Sequence, residues 1–133
     1  MRIIRSRTEL ATLVAQWRNA GETIGFVPTM GSLHNGHLTL VNALDGQATR
    51  RIVSIFVNPI QFDNAADFQL YPRGLEADAA LLEGTGKVDV LYAPDGAEMY
   101  PEGFATRITV SGLDGMLCGA DRPGHFDGVA TVV

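Results

Sequence analysis

Ile24-Gly25-Phe26-Val27, followed by Pro28-Thr29-Met30-Gly31-Ser32-Leu33-His34-Asn35-Gly36-His37, decides the fold of this chain. A short apolar run enters a turn with two glycines and two histidines, and Leu38, Val41 and Leu44 continue at helical spacing. The pattern is a strand, a tight turn and a helix. Such a turn aims backbone N–H groups and the positive end of a helix dipole at one spot, which suits a phosphate. Imidazoles there donate hydrogen bonds when neutral and offset negative charge when protonated. Gly31 and Gly36 permit close approach to the backbone, which favours phosphate. The residues leave a second reading open, in which His34 and His37 form half of a metal site. Cys118 and His125 are candidate further ligands, but their spacing forms no ligand pattern, so no metal site is expected.

The flanking sequence extends this into a repeating order. Ser6 and Glu9 have the spacing of a capping box. Leu10, Leu13, Val14 and Trp17 then mark the core stripe of a helix that Gly21 stops. Residues 51–57, Arg-Ile-Val-Ser-Ile-Phe-Val, form the strongest strand pattern, β-branched and almost continuously apolar, as in sheets covered on both faces. Asn58-Pro59 ends it, and a polar loop over 61–67 leads to Tyr71-Pro72-Arg73. Leu75, Ala79 and Leu82 predict a helix with Glu76 and Asp78 in its favourable first turn. Residues 88–92 predict a third strand. Strands alternating with helices imply an α/β fold with a parallel, Rossmann-like sheet flanked by helices. Ligands in such sheets bind at the carboxyl ends of strands, where the histidine turn and Asn58 both fall. Beyond residue 96, residues 106–110 alternate like an edge strand and 112–119 read as loop. The apolar segment 128–133 stops without a cap, which predicts an incomplete sheet in a chain truncated on its C-terminal side.

Composition narrows the class. The 133 residues suit one domain over 1–133, and 46% hydrophobic with 19% charged residues describe a folded globular chain. The net charge of −5 and the lack of any Lys/Arg block beyond Arg50-Arg51, a pair placed to tie down a strand start, predict no nucleic-acid partner. A single Cys118 forms no internal disulfide and reads as loop filling. No signal peptide or membrane-length apolar run is visible, so a cytoplasmic setting is the expectation.

Four blocks together carry a family resemblance. Residues 28–37, Ser54-Ile55-Phe56-Val57-Asn58-Pro59 with Gln61-Phe62, Tyr71-Pro72-Arg73, and Arg122-Pro123-Gly124-His125-Phe126 resemble pantothenate synthetases (pantoate–β-alanine ligases), in the right order across the chain. The histidine block alone is shared with other nucleotidyltransferases and class I aminoacyl-tRNA synthetases. It leaves another HxGH nucleotidyltransferase, or a non-catalytic dimerising nucleotide-binding fragment, as the alternatives.

The resemblance implies an ATP-dependent, Mg²⁺-assisted ligation of pantoate with β-alanine through pantoyl adenylate, by a homodimer. It implies that Thr29, Met30, Gly31, Ser32, Leu33, His34, Asn35, Gly36 and His37 bind ATP. His34 and His37 would be the catalytic pair, with His37 as a proton donor. Gln61, Met30, Asn58, Tyr71 and His125 would bind pantoate or β-alanine. Plainer roles exist for three of these: Asn58 as a turn former, Tyr71 as a packed aromatic, His125 as a helix start. Asp127 stands where the family usually has a basic residue, which implies a reversed local charge. The family's later ATP-binding stretch and mobile loop have no counterpart within 133 residues. Only Arg73, Lys87, Arg107 and Arg122 follow residue 51 as cations, so the chain alone is expected to be inactive or nearly so.

Overall fold

The computed structural model describes residues 1–112 and 124–133. They divide into two compact units, Met1–Phe56 with Pro72–Met99, and Val57–Tyr71 with Tyr100–Val133.

The first unit is a parallel sheet of β1 (Arg2–Ile4), β2 (Ile24–Thr29), β3 (Arg50–Ile55) and β4 (Val90–Tyr92), in the order β1-β4-β3-β2. Thr29 lies level with Ile55, Ile52 with Val90, and Ile4 with Tyr92. Side chains alternate across the pleat, so β2, β3 and β4 feed two cores, while the edge strand β1 gives Ile4 to one of them. On one face Val27, Val53 and Leu91 pack with Val41 of α2 (Asn35–Ala43) and Leu82 of α4 (Leu75–Glu83). On the other, Ile4, Ile52, Val90 and Tyr92 receive Leu10, Leu13, Val14 and Trp17 of α1 (Arg7–Asn19). Burying one such aliphatic side chain contributes about 1.5–3 kcal/mol, and Val53, Leu91, Leu82 and Ile4 are each 1% exposed or less. The apolar runs therefore fold as read.

Several details differ from the sequence reading. β1 is an additional strand, and a four-residue helix, α5 (Gly96–Met99), follows β4. The N-cap of α1 is half of the expected box: Ser6 Oγ accepts from Glu9 N at 3.3 Å, while the Glu9 carboxylate pairs with Arg2. Arg50 bridges Glu22 and Asp89 and lies over the Trp17 ring, and Arg51 pairs with Asp45. The two arginines thus tie down strand starts as expected.

The second unit holds a 3₁₀ turn (Pro59–Gln61), α3 (Ala65–Leu70) and α6 (His125–Val132). The stretch read as a polar loop over 61–67 contains the start of α3, which lacks an apolar stripe and is capped by Asn64, whose side chain accepts from Ala66 N at 2.8 Å. The predicted edge strand over 106–110 joins no ladder among the described residues. Its Ile108 N donates to the Thr131 hydroxyl instead. The loop expected over 112–119, with Cys118, and also Arg122 lie outside the described residues, apart from Gly112. Among the described residues no helix is long and apolar enough to cross a membrane.

Candidate active site

The first group of candidate residues is continuous in sequence, and the β2–α2 turn gives each of them a place. Thr29 closes β2: its hydroxyl donates to Ser54 O on β3 at 2.8 Å and accepts from Gly31 N at 3.1 Å. Gly31 and Ser32 then adopt left-handed backbone in succession, with φ of +84° and +53°. Gly31 is favoured twice over, by that φ and by space, since a Cβ would lie in tight contact, 3.1 Å from both Asp78 Oδ2 and Ile55 Cγ2. The turn delivers two N–H groups to one carboxylate: Ser32 N and Leu33 N donate to Asp78 at 2.9 and 2.8 Å. Asp78 is only 6% exposed.

The histidines start α2. His34 is the N-cap, and its Nδ1 accepts from Gly36 N at 3.0 Å. His37 Nδ1 reaches back to accept from His34 N at 3.2 Å. This is a reciprocal capping box with imidazoles in the places that Ser/Thr and Glu usually fill. The rings tilt together with centroids 4.3 Å apart. A Cβ at residue 36 would lie 2.8 Å from His34 Cε1, so glycine there makes room for the folded-over ring. The spacing His-x-Gly-His thus follows from geometry: cap, free position, ring seat, returning ring. Partial burial holds His37 below its ordinary value of 6.5, the nearby His34 adds to this, and Asp78 on α4 opposes it. Met30 and Asn35 complete the turn. Asn35 lies at the exposed start of α2, where its carbonyl accepts from Thr39.

The second unit brings together Asn58, Gln61 and His125. Asn58 is 1% exposed. Its Nδ2 donates to Gly128 O at 3.0 Å and to Gln61 Oε1 at 3.1 Å, and its Oδ1 accepts from the Tyr100 hydroxyl at 2.7 Å. His125 Nδ1 lies 3.0 Å from the backbone oxygen of Gln61. Tyr71 packs edge-on against Phe62, which packs on Phe68. Burial raises the Tyr100 phenol above its ordinary value, with the Asn58 bond acting the other way. Asp127 does not leave a bare negative charge, because Arg107 donates to its Oδ2 from Nε and Nη2, at 3.1 and 2.8 Å.

Two residues escaped the sequence reading. Asp78 was legible only as a helix-start acid, because its partners lie 45 and 46 positions back. Tyr100 gave no signal. Of the later cations, Lys87 is held by Asn42 and Asp45, and Arg107 by Asp127. Among the described residues no group of three or more His, Cys, Asp or Glu is placed to hold a metal ion.

A parallel sheet with a histidine-capped helix at the carboxyl end of β2 defines the class: an α/β protein with its histidine turn on a strand end, the place where ligands bind in such sheets. The family described as pantoate-beta-alanine ligase matches residues 2–133, and the chain belongs to that family. A pantothenate synthetase of Chelativorans sp. (strain BNC1) is 58% identical over 131 residues, 98% of this chain and 46% of that protein. The solved pantothenate synthetase of Thermus thermophilus is 51% identical with a TM-score of 0.83, over 99% of this chain and 46% of that one. The pantoate-beta-alanine ligase of Francisella tularensis, solved with beta-gamma ATP and beta-alanine, is 41% identical with a TM-score of 0.88, over 99% of this chain and 50% of that one. The chain thus spans about half the length of these relatives.

Proposed function

We propose that the chain supplies the nucleotide- and acid-binding half of an ATP-dependent ligase that joins pantoate to β-alanine. The observation that carries this reading is the family match over residues 2–133 together with the histidine-capped turn. A carboxylate is a poor acyl donor, so the reaction first activates it. A pantoate carboxylate oxygen bonds to the α-phosphorus of ATP while the bond to the bridging oxygen breaks and pyrophosphate leaves. The β-alanine amine then bonds to the acyl carbon, the bond to AMP breaks, and the amine's surplus proton passes to solvent or a nearby base.

For this chain the work is positioning and charge stabilisation. The turn from Thr29 to Gly36 receives the phosphates. His34 and His37 donate to oxygens on which charge develops. Gln61 offers its amide to pantoate, and Met30, Tyr71 and His125 belong to the acid-binding side. Asn58 acts through Gln61. The described residues supply no carboxylate cage for Mg²⁺. The same reading includes a Rossmann-like nucleotidyltransferase architecture, a homodimer and a cytoplasmic setting. The later cations are few and already committed in part, which supports a further expectation that the 133 residues alone turn over little or nothing.

The test is pantoate-dependent exchange of pyrophosphate into ATP. A fusion of these 133 residues to the remaining length of the Thermus thermophilus relative is expected to catalyse it, and the 133 residues alone are not. A folded fusion without pantoate-dependent exchange would sink the ligase reading, and robust exchange by the short chain would sink the half-site reading.

A further inference from the structure

The helix cap constrains the protons of both histidines. A backbone N–H can only donate. His34 Nδ1 faces Gly36 N at 3.0 Å, and His37 Nδ1 faces His34 N at 3.2 Å. Each Nδ1 must therefore offer a lone pair. A neutral imidazole with a bare Nδ1 carries its proton on Nε2, and an imidazolium carries protons on both nitrogens.

We infer that His34 and His37 both stand as neutral Nε2–H tautomers whose Nδ1 atoms belong to the α2 cap, so that the pair is a twin hydrogen-bond donor for an acceptor-only oxyanion such as a phosphoryl group. Two other roles then conflict with the cap. A metal on Nε2 needs that nitrogen bare, which moves the proton to Nδ1 and sets donor against donor. An imidazolium acid puts a proton on Nδ1 as well, with the same clash, and strips one backbone N–H of its partner at the start of α2. His37 accordingly stabilises charge by donating a hydrogen bond and does not deliver a proton while α2 is capped. The groups facing His37 fit this: His34 across the turn disfavours a second positive charge, and the Asp78 carboxylate on α4 is already engaged by Ser32 N and Leu33 N.

His125 provides the contrast within the same chain. Its Nδ1 lies 3.0 Å from the Gln61 carbonyl oxygen, which can only accept. His125 must carry its proton on Nδ1. The three histidines of the sequence thus divide two to one by tautomer, for reasons that lie wholly in the backbone groups they face.

The inference rests on the proposed phosphate reading only for the identity of the oxyanion, so the two are tested separately. Long-range ¹H–¹⁵N imidazole spectra of the labelled, ligand-free chain at neutral pH read the tautomers directly, with His125→Gln assigning the odd ring. The expected result is bare Nδ1 and protonated Nε2 for His34 and His37, and the reverse for His125. A protonated Nδ1 on His34 or His37, or nitrogen shifts averaged between the two tautomers, would overturn the inference. Inorganic pyrophosphate is then added. The expected response is a downfield shift of the two Nε2–H protons with Nδ1 unmoved. Correct tautomers with no response at saturating pyrophosphate would overturn the oxyanion assignment and leave the cap assignment standing.

Discussion

Asn58 donates to the backbone carbonyl of Gly128 at 3.0 Å, joining positions 70 residues apart in sequence. A carbonyl only accepts, so this bond fixes which way the Asn58 amide points. Its oxygen must face the Tyr100 hydroxyl, and its second N–H must face Gln61 Oε1. Gln61 is thereby held with its amide nitrogen as the end left over, and among the described residues nothing accepts from it. Asn58→Ala is expected to cost about 3 kcal/mol, because it leaves buried partners unpaired. Tyr100→Phe should cost about 1 kcal/mol, the value of one hydrogen bond. Urea unfolding checks both. An Asn58→Ala chain as stable as its parent would mean that the network contributes little.

Asp78 fastens the site turn. It accepts two backbone N–H groups from the segment that leads into His34, and hydrogen bonds to a charged group are the stronger kind. Asp78→Ala is expected to destabilise the chain by about 3 kcal/mol. Asp78→Asn, which keeps one acceptor of the two, should lose roughly half as much. In a ligase-competent fusion, Asp78→Asn is expected to lower kcat more than it raises the KM for ATP, since Asp78 holds the turn of His34 and His37, which are proposed to donate where charge develops in the transition state. A pure KM effect would contradict a positioning role.

Substitutions at His34 separate its two nitrogens. Asparagine places an acceptor near the position of Nδ1 and is a favoured N-cap, so His34→Asn should keep stability within about 0.5 kcal/mol. It removes the outer donor and should abolish exchange activity in the fusion. His34→Gln reaches further out but caps poorly, and should cost about 1 kcal/mol of stability. Thermal unfolding beside the exchange assay reads both effects. Loss of stability in His34→Asn equal to that in His34→Ala would refute the capping role.

His37 makes stability depend on pH in a definite direction. Burial and His34 lower its folded-state pKa from 6.5. Between that lowered value and 6.5 the unfolded chain binds more protons than the folded one, so stability rises with pH there. The contribution is complete above 6.5 and is lost as pH falls through the folded value. His37→Gln should flatten this part of the profile. Denaturant midpoints from pH 4.5 to 7.5 measure it, and an unchanged slope in the variant would show that His37 is not the group responsible.

The legible parts of the fold were those whose signal is local. The α1 stripe, the run before the histidines and the β-branched run before Asn58 each state their burial within a few residues. The whole β2–α2 turn is contiguous, so its residue types could be read as one device. β1 is three residues long, too short for a period to register. α3 has no buried residue and depends on the Asn64 cap. Residues 106–110 do alternate, but alternation describes a strand only when a neighbouring strand takes up the ladder. Asp78 and Tyr100 owe their importance to partners 42 or more positions away, which no local pattern reports.

The contact between α6 and the 3₁₀ turn has a consequence for inheritance. A Cβ at residue 128 would lie 2.5 Å from Gln61 Cα and 2.6 Å from Gln61 N, and backbone cannot swing aside as a flexible side chain can. Every single-base change in a glycine codon that alters the amino acid introduces a side chain with a Cβ or stops translation. Position 128 therefore has no one-step neighbour in the genetic code that preserves this packing. A lineage can drift at the exposed faces of α1 or α3, while at this point it holds its glycine or must rebuild the bed beneath Gln61.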